Sequence, residues 1–175
     1  MSAGVPVTEK KLIFEDTIKL AERMCEIIKG EIIVSSEVKE LYNSENSNAL
    51  SEGESIFFLT QTDEKFLTLL MDFTESTWSN TNLKVDDFSK PMGYSKSQLY
   101  RKMVLLTGTS PNTFIKDYRL NEALVLLNKN SGSVSEIAYQ TGFSCPSYFS
   151  KCFQKRYGHS PSNYLPGKVG QQFEF

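Results

Sequence analysis

The sequence predicts a mainly α-helical protein: two helix-turn-helix units in tandem, joined by a long linker helix and preceded by a small α/β segment. Three observations carry this expectation. From residue 62 onward, apolar residues recur at helical spacing almost to the end. The chain also resembles itself, the segment from Val85 to Pro111 matching that from Val134 to Pro161. Finally, the polar stretch NSENSNALSEGES, Asn43 to Ser55, cannot bury much apolar surface and separates the helical part from what precedes it. The expected division is a small α/β segment over 1–42, a linker over 43–61, the tandem domain over 62–166 and a tail over 167–175.

In chain order, Ile13/Phe14, Ile18, Ala21, Cys25 and Ile28 fall at helical spacing, and Gly30 stands where a C-cap glycine belongs. Ile32, Ile33 and Val34 form a β-branched run suited to a short buried strand. Val38, Leu41 and Tyr42 predict another short helix, whereas Ile56 to Leu59 is too short to classify. Thr62 is placed as the cap of a helix opening with Asp63 and Glu64, acids that suit its positive end. Phe66, Leu69/Leu70, Phe73 and Thr77 give that helix its inward face. Ser110-Pro111 starts the linker helix, whose apolar positions run from Phe114 to Leu127 before the polar break KNSGS.

The repeat has a physical logic. VDDFSKPMGYS (Val85 to Ser95) aligns with VSEIAYQTGFS (Val134 to Ser144), and after one extra residue Leu99 aligns with Phe149 and Met103 with Phe153. Both copies close with Gly-x-Ser-Pro, followed three residues later by Phe114 or Tyr164. A small residue, Ser89 or Ala138, lets a second helix cross closely, and Gly93 or Gly142 supports the left-handed backbone of a tight turn. A serine then caps the second helix. That helix turns Leu99 and Met103, or Phe149 and Phe153, toward the core. Its outer face carries Ser97, Tyr100, Arg101 and Lys102 in the first copy, and Ser147, Ser150, Lys151 and Lys155 in the second. Such a polar, basic helix is narrow enough for a major groove about 12 Å wide. Pro91, in the last turn of the first unit's opening helix, removes a backbone donor and is expected to shorten or tilt that unit.

Charge is divided along the chain in the same sense. Residues 1–93 carry 9 Lys/Arg against 17 Asp/Glu, whereas residues 94–168 carry 10 against 3. A basic segment beside an acidic one is the footprint of a polyanion partner. Three cysteines without CxxC spacing suit a reducing compartment, and one histidine leaves no Cys/His zinc site to build. No apolar run approaches the roughly 18 residues of a membrane span, and the N-terminus lacks a signal-peptide core. The expectation is a cytoplasmic protein with no cofactor. Cys152, beside Phe153, reads as packing; Cys145, at a helix start, reads as a somewhat acidic thiol, with redox sensing as the alternative.

SEIAYQTGFSCPSYFSKCFQKRYGHSPSNYL strongly resembles the second half of the AraC-type DNA-binding domain. GYSKSQLYRKMVLLTGTSPNTFIKDYRLNEALVLL resembles its first half and linker helix. The resemblance covers roughly Asp63 to Leu165. It implies about seven helices, with two recognition helices entering successive major-groove segments of double-stranded DNA about 34 Å apart. It implies base readers at Ser97, Tyr100 and Arg101, and at Pro146, Ser147, Ser150 and Lys151. Arg101 leads, because guanidinium to guanine is the commonest specific pairing. Ser95, Lys96, Lys102, Ser144, Lys155 and Arg156 fall to phosphates, which set affinity rather than sequence. A transcription regulator of this kind has RNA polymerase as a further candidate partner.

AERMCEIIKGEIIVSSEVKELYN, Ala21 to Asn43, resembles the closing part of a class III nucleotide cyclase domain. It lacks a metal-binding aspartate pair or nucleotide-binding loop. An unrelated α/β appendage that packs or dimerises is the alternative. Three functions thus stand after the sequence: a DNA-binding transcription regulator, a regulatory fragment of a cyclase-like signalling protein, and a protein-interaction module. A catalyst is disfavoured, since no paired carboxylates, glycine-rich phosphate loop or Ser-His-Asp set can be placed. Activation versus repression, the effector and the oligomeric state stay open.

Overall fold

In the computed structural model the described residues are 21–22, 32–45 and 56–165. The helix expected from Ile13 to Ile28 lies outside them, apart from Ala21 and Glu22, which are helical; the 167–175 tail lies outside them as well.

Strand β1 (Ile32–Val34) is found where the β-branched run placed it, followed by helix α1 (Ser36–Glu45). Strand β2 (Ile56–Phe58) pairs with β1 in parallel, Ile33 opposite Phe57, so the unclassified apolar run completes a two-stranded sheet. This sheet is joined to the helical part. The Leu59 amide donates to the Val34 carbonyl at 3.0 Å. Glu64 accepts from the Ser36 amide at 2.7 Å and from its hydroxyl at 3.2 Å. A carboxylate from the next helix therefore satisfies a free amide at the α1 N-terminus.

Helix α2 (Gln61–Thr77) is capped by Thr60, not by Thr62 as expected. Thr60 stands three residues before Asp63. Its Oγ1 accepts from the Asp63 amide at 3.1 Å and the Asp63 carboxylate accepts from the Thr60 amide at 3.0 Å, the reciprocal pair that defines a capping box. The buried face of α2 is Phe66, Leu67, Leu70, Met71 and Thr74, while Leu69 is 46% exposed. Phe73 sits edge-on to Phe88 at 4.8 Å between ring centres.

Helix α3 (Val85–Met92) ends on left-handed Gly93 and leads to α4 (Lys96–Thr107), capped by Ser95. The linker helix α5 (Pro111–Asn128) follows, with Ser110 as cap and Pro111 at its first position. The second unit is α6 (Val134–Gln140), α7 (Pro146–Tyr157) and a closing 3₁₀ turn, Pro161–Tyr164. Of the seven helices expected between residues 63 and 165, six are α-helices and the last is this turn. Pro91 does not shorten the first unit, since α3 spans 8 residues and its counterpart α6 spans 7.

The two units have separate cores. One gathers Phe66, Leu70, Phe88, Leu99, Met103 and Ile115 with their neighbours. The other gathers Leu120, Ala123, Leu127, Ile137, Phe149 and Phe153. Helix α5 serves both, its first half facing one core and its second half the other. Among the described residues no helix is long and apolar enough to cross a membrane.

Candidate nucleic-acid interface

Each second helix shows outward what its inward residues leave over. On α4, Leu99 and Met103 are fully buried, and Ser97, Tyr100 and Arg101 are exposed, Tyr100 by 53%. On α7, Phe149 and Phe153 are fully buried; Ser147 and Lys151 are exposed, and Pro146 and Ser150 are half-buried beside them. The Arg101 Nε reaches its own helix at the Ser97 carbonyl, 3.4 Å away, so its guanidinium lies along the exposed face.

The helix starts differ. Ser95 caps α4 with a full capping box, Gln98 Oε1 accepting from the Ser95 amide at 3.0 Å. In the second copy the cap is not Ser144 but Cys145, the residue after it, and it makes no capping hydrogen bond of ordinary geometry. The extra residue of the repeat is thus absorbed before the helix, leaving Ser144 exposed in the turn. The backbone N–H groups of Tyr148 and Ser147 point toward the Cys145 sulfur and hold its thiol below the ordinary range.

Two of the cations expected at phosphates are turned elsewhere. Lys102 forms an ion pair with Asp63 of α2, its side chain only 21% exposed, and its ammonium lies 5.9 Å above the Phe66 ring. Burial pushes the Asp63 carboxyl up, but hydrogen bonds from Lys102 and Thr60 outweigh this and hold it below the usual carboxylate range. Arg156 pairs with Asp117 at 2.9 Å and donates to Asn121 at 3.1 Å, tying the end of α7 to the linker helix. Lys96 meets Asp86 at 2.6 Å, but both side chains stand in solvent. Lys155 is exposed.

Some neighbours escaped the sequence reading. A cleft of about 440 Å³ runs between the exposed face of α4 and the start of α5, lined by Lys96, Ser97, Tyr100, Arg101, Ser110 and Asn112 among others. Asn112 lies in a segment that reads only as a helix start. Tyr148, 57% exposed on the outer face of α7, was hidden among the aromatics of a core-like run. Its position one residue before buried Phe149 was the available signal.

A helix-turn-helix domain family model matches residues 88–166. A solved transcriptional regulator of Chromobacterium violaceum, described by its AraC-type DNA-binding domain, matches with a TM-score of 0.55 and 25% identity, over 65% of this chain and 100% of that one. Residues 88–166 thus carry an AraC-type helix-turn-helix domain. The HTH-type transcriptional regulator MtrA of Neisseria gonorrhoeae is 32% identical over 95 residues, 54% of this chain and 30% of that protein. Histidine kinase P4 of Formosa agariphila is 37% identical over 127 residues, 73% of this chain but 9% of that protein. The chain therefore spans less than a third of either curated relative. The cyclase likeness expected over 21–43 finds no support in these comparisons. Within the AraC-type domain, α4 and α7 occupy corresponding places in the two units, each crossing the helix before it.

Proposed function

We propose that this chain is a sequence-specific DNA-binding transcription regulator that lays α4 and α7 into two successive major-groove segments. The observation that carries this reading is the matched pair of outward faces. Ser97, Tyr100 and Arg101 stand on one helix, and Ser147, Ser150 and Lys151 at the corresponding positions of the other. Hydrogen-bonding and cationic groups on a rigid helix are what base edges in the major groove recognise. Arg101 is assigned to a guanine, and Tyr148 joins Pro146 and its neighbours at the second face. Phosphate contacts fall to Ser95, Lys96, Ser144 and Lys155, with Asn112 at the mouth of the cleft. Lys102 and Arg156 move to a structural role, because their ion pairs hold them inside the domain.

This reading makes the chain a binding protein, not an enzyme, with RNA polymerase as the partner through which bound regulator acts. A cytoplasmic location accords with a DNA partner. The likeness to a protein named a histidine kinase favours one addition, that DNA binding is the output step of a longer signalling chain.

The test is selection of bound sequences from a random DNA pool with the full chain, at two salt concentrations. The expected result is an enriched motif with two half-elements about one helical turn apart. Arg101→Ala and Lys151→Ala should each relax one base position by about 1–3 kcal/mol. Binding that enriches nothing and vanishes with added salt would leave only a basic surface and restore the interaction-module reading.

A further inference from the structure

Two recognition helices read one composite site only if the angle and distance between them are fixed. A shared helix alone does not fix them, because each unit packs on a different half of α5 and has its own core. Arg119 lies at the changeover, between Tyr118, which packs on the first core, and Leu120, which belongs to the second.

Its guanidinium reaches back to the first unit. Nε donates to the Trp78 carbonyl at 2.7 Å and Nη2 to the Asn80 carbonyl at 2.6 Å. Trp78 is the C-cap of α2, where carbonyls lack helical partners and carry partial negative charge. The planar fork meets two carbonyls at once, which a lysine ammonium on its flexible stem does not reproduce. The same guanidinium also touches the second unit. A Cβ on Gly142, in the turn between α6 and α7, would stand 2.8 Å from Arg119 Nε and 2.8 Å from the Trp78 carbonyl oxygen. Gly142 is thus required there for space as well as for its backbone angle of φ +79. The end of α2, the middle of α5 and the turn before α7 converge on one side chain.

We propose that Arg119 sets the spacing and phasing of the two recognition helices, and thereby selects the separation of half-elements that the protein binds. The inference rests on the reading that α4 and α7 both contact DNA. Arg119 acts as a positioning residue: it touches no base, and its effect passes through the seating of the second unit against the first.

The experiment uses the full chain and DNA libraries in which two half-elements are held constant and their separation varies by single base pairs. Wild type should prefer one separation, near 10 base pairs. Arg119→Met should retain both half-element sequences but spread over neighbouring separations, with affinity at the preferred one reduced about tenfold, the size of one misplaced base contact. Arg119→Lys, which keeps the charge and loses the fork, should broaden the preference less. If Arg119→Met lowers affinity equally at every separation, or leaves the preference as sharp as in wild type, the inference is overturned. Should Arg119→Met fail to fold, as read from the fluorescence of Trp78, Arg119→Lys decides on the same two criteria. A wild-type protein that enriches no half-element fails at an earlier step and removes the DNA reading itself.

Discussion

The two units of the domain are one sequence pattern solved by different physical means. The first has a mixed core of Leu, Met and Phe side chains, and binds α4 to α2 with the Lys102–Asp63 ion pair laid over Phe66. In the second, the position matching Lys102 is Cys152, which packs against the core, and aromatic rings hold the helix. Phe153 stands 5.6 Å from Phe149, 4.6 Å from Tyr157 and 5.5 Å from Tyr164, centre to centre. The second unit's fixed charges lie further out, where Arg156 fastens α7 to Asp117 of the linker helix. The first unit therefore depends on pH and ionisation in its interior, and the second depends on ring packing.

Removing a ring should separate the two units most sharply. Phe153→Ala is expected to cost about 3–5 kcal/mol, the range for emptying a buried phenylalanine site. Because the cores are distinct, native-state hydrogen exchange should show protection lost in α6 and α7 and kept in α2 to α4. Equal loss in both units would mean that they unfold as one body despite their separate cores.

Next in size is the ion pair. Asp63→Asn leaves the Lys102 ammonium facing an amide in a largely buried position, and about 1.5–3 kcal/mol is expected for a lost charge-assisted hydrogen bond. The pH dependence has a definite sign. Asp63 has a folded-state pKa below its unfolded value, so its contribution is complete above the unfolded value of about 3.9. It disappears as pH falls through the folded value. Urea midpoints followed by Trp78 fluorescence from pH 6 down to pH 2 should therefore fall more steeply for wild type than for Asp63→Asn. Parallel curves would show that the carboxylate contributes nothing through ionisation.

The repeat punctuation was readable because it is local. The turn glycines, the Ser95 and Ser110 caps and the proline at the start of α5 each follow from what one turn of backbone requires. The direction of Lys102 was not, because its partner lies 39 residues away and a lysine on a basic helix reads as solvated. One local signal did exist, since Lys102 follows buried Leu99 by three positions and precedes buried Met103 by one, on the flank of the inward stripe. The α2 cap was legible too. Thr60 is three residues before Asp63, whereas Thr62 is three before Lys65, which cannot complete a capping box. Arg119 offered no cue, because its partners are backbone carbonyls, which every sequence possesses. The outward faces of α4 and α7 followed from the apolar spacing alone, but which of their cations stay outward did not.

The smallest difference lies at the starts of α4 and α7. Ser95→Ala should cost about 1 kcal/mol, since it removes a side-chain oxygen that accepts from the Gln98 amide. With the thiol protonated, Cys145→Ala should cost almost nothing, because a neutral thiol is a weak acceptor and closes no capping bond here. The thiolate is different. The Tyr148 and Ser147 amides lower the folded-state pKa of Cys145, so its contribution to stability is complete above the unfolded thiol value of about 8.5 and fades as pH falls through the folded one. The wild-type advantage over Cys145→Ala in urea midpoint should then grow as pH rises toward 9, while the Ser95→Ala deficit stays constant over the same range. A Cys145→Ala deficit that stays the same at every pH would mean that the neutral sulfur caps α7 after all, and that the two helix starts are held in the same way.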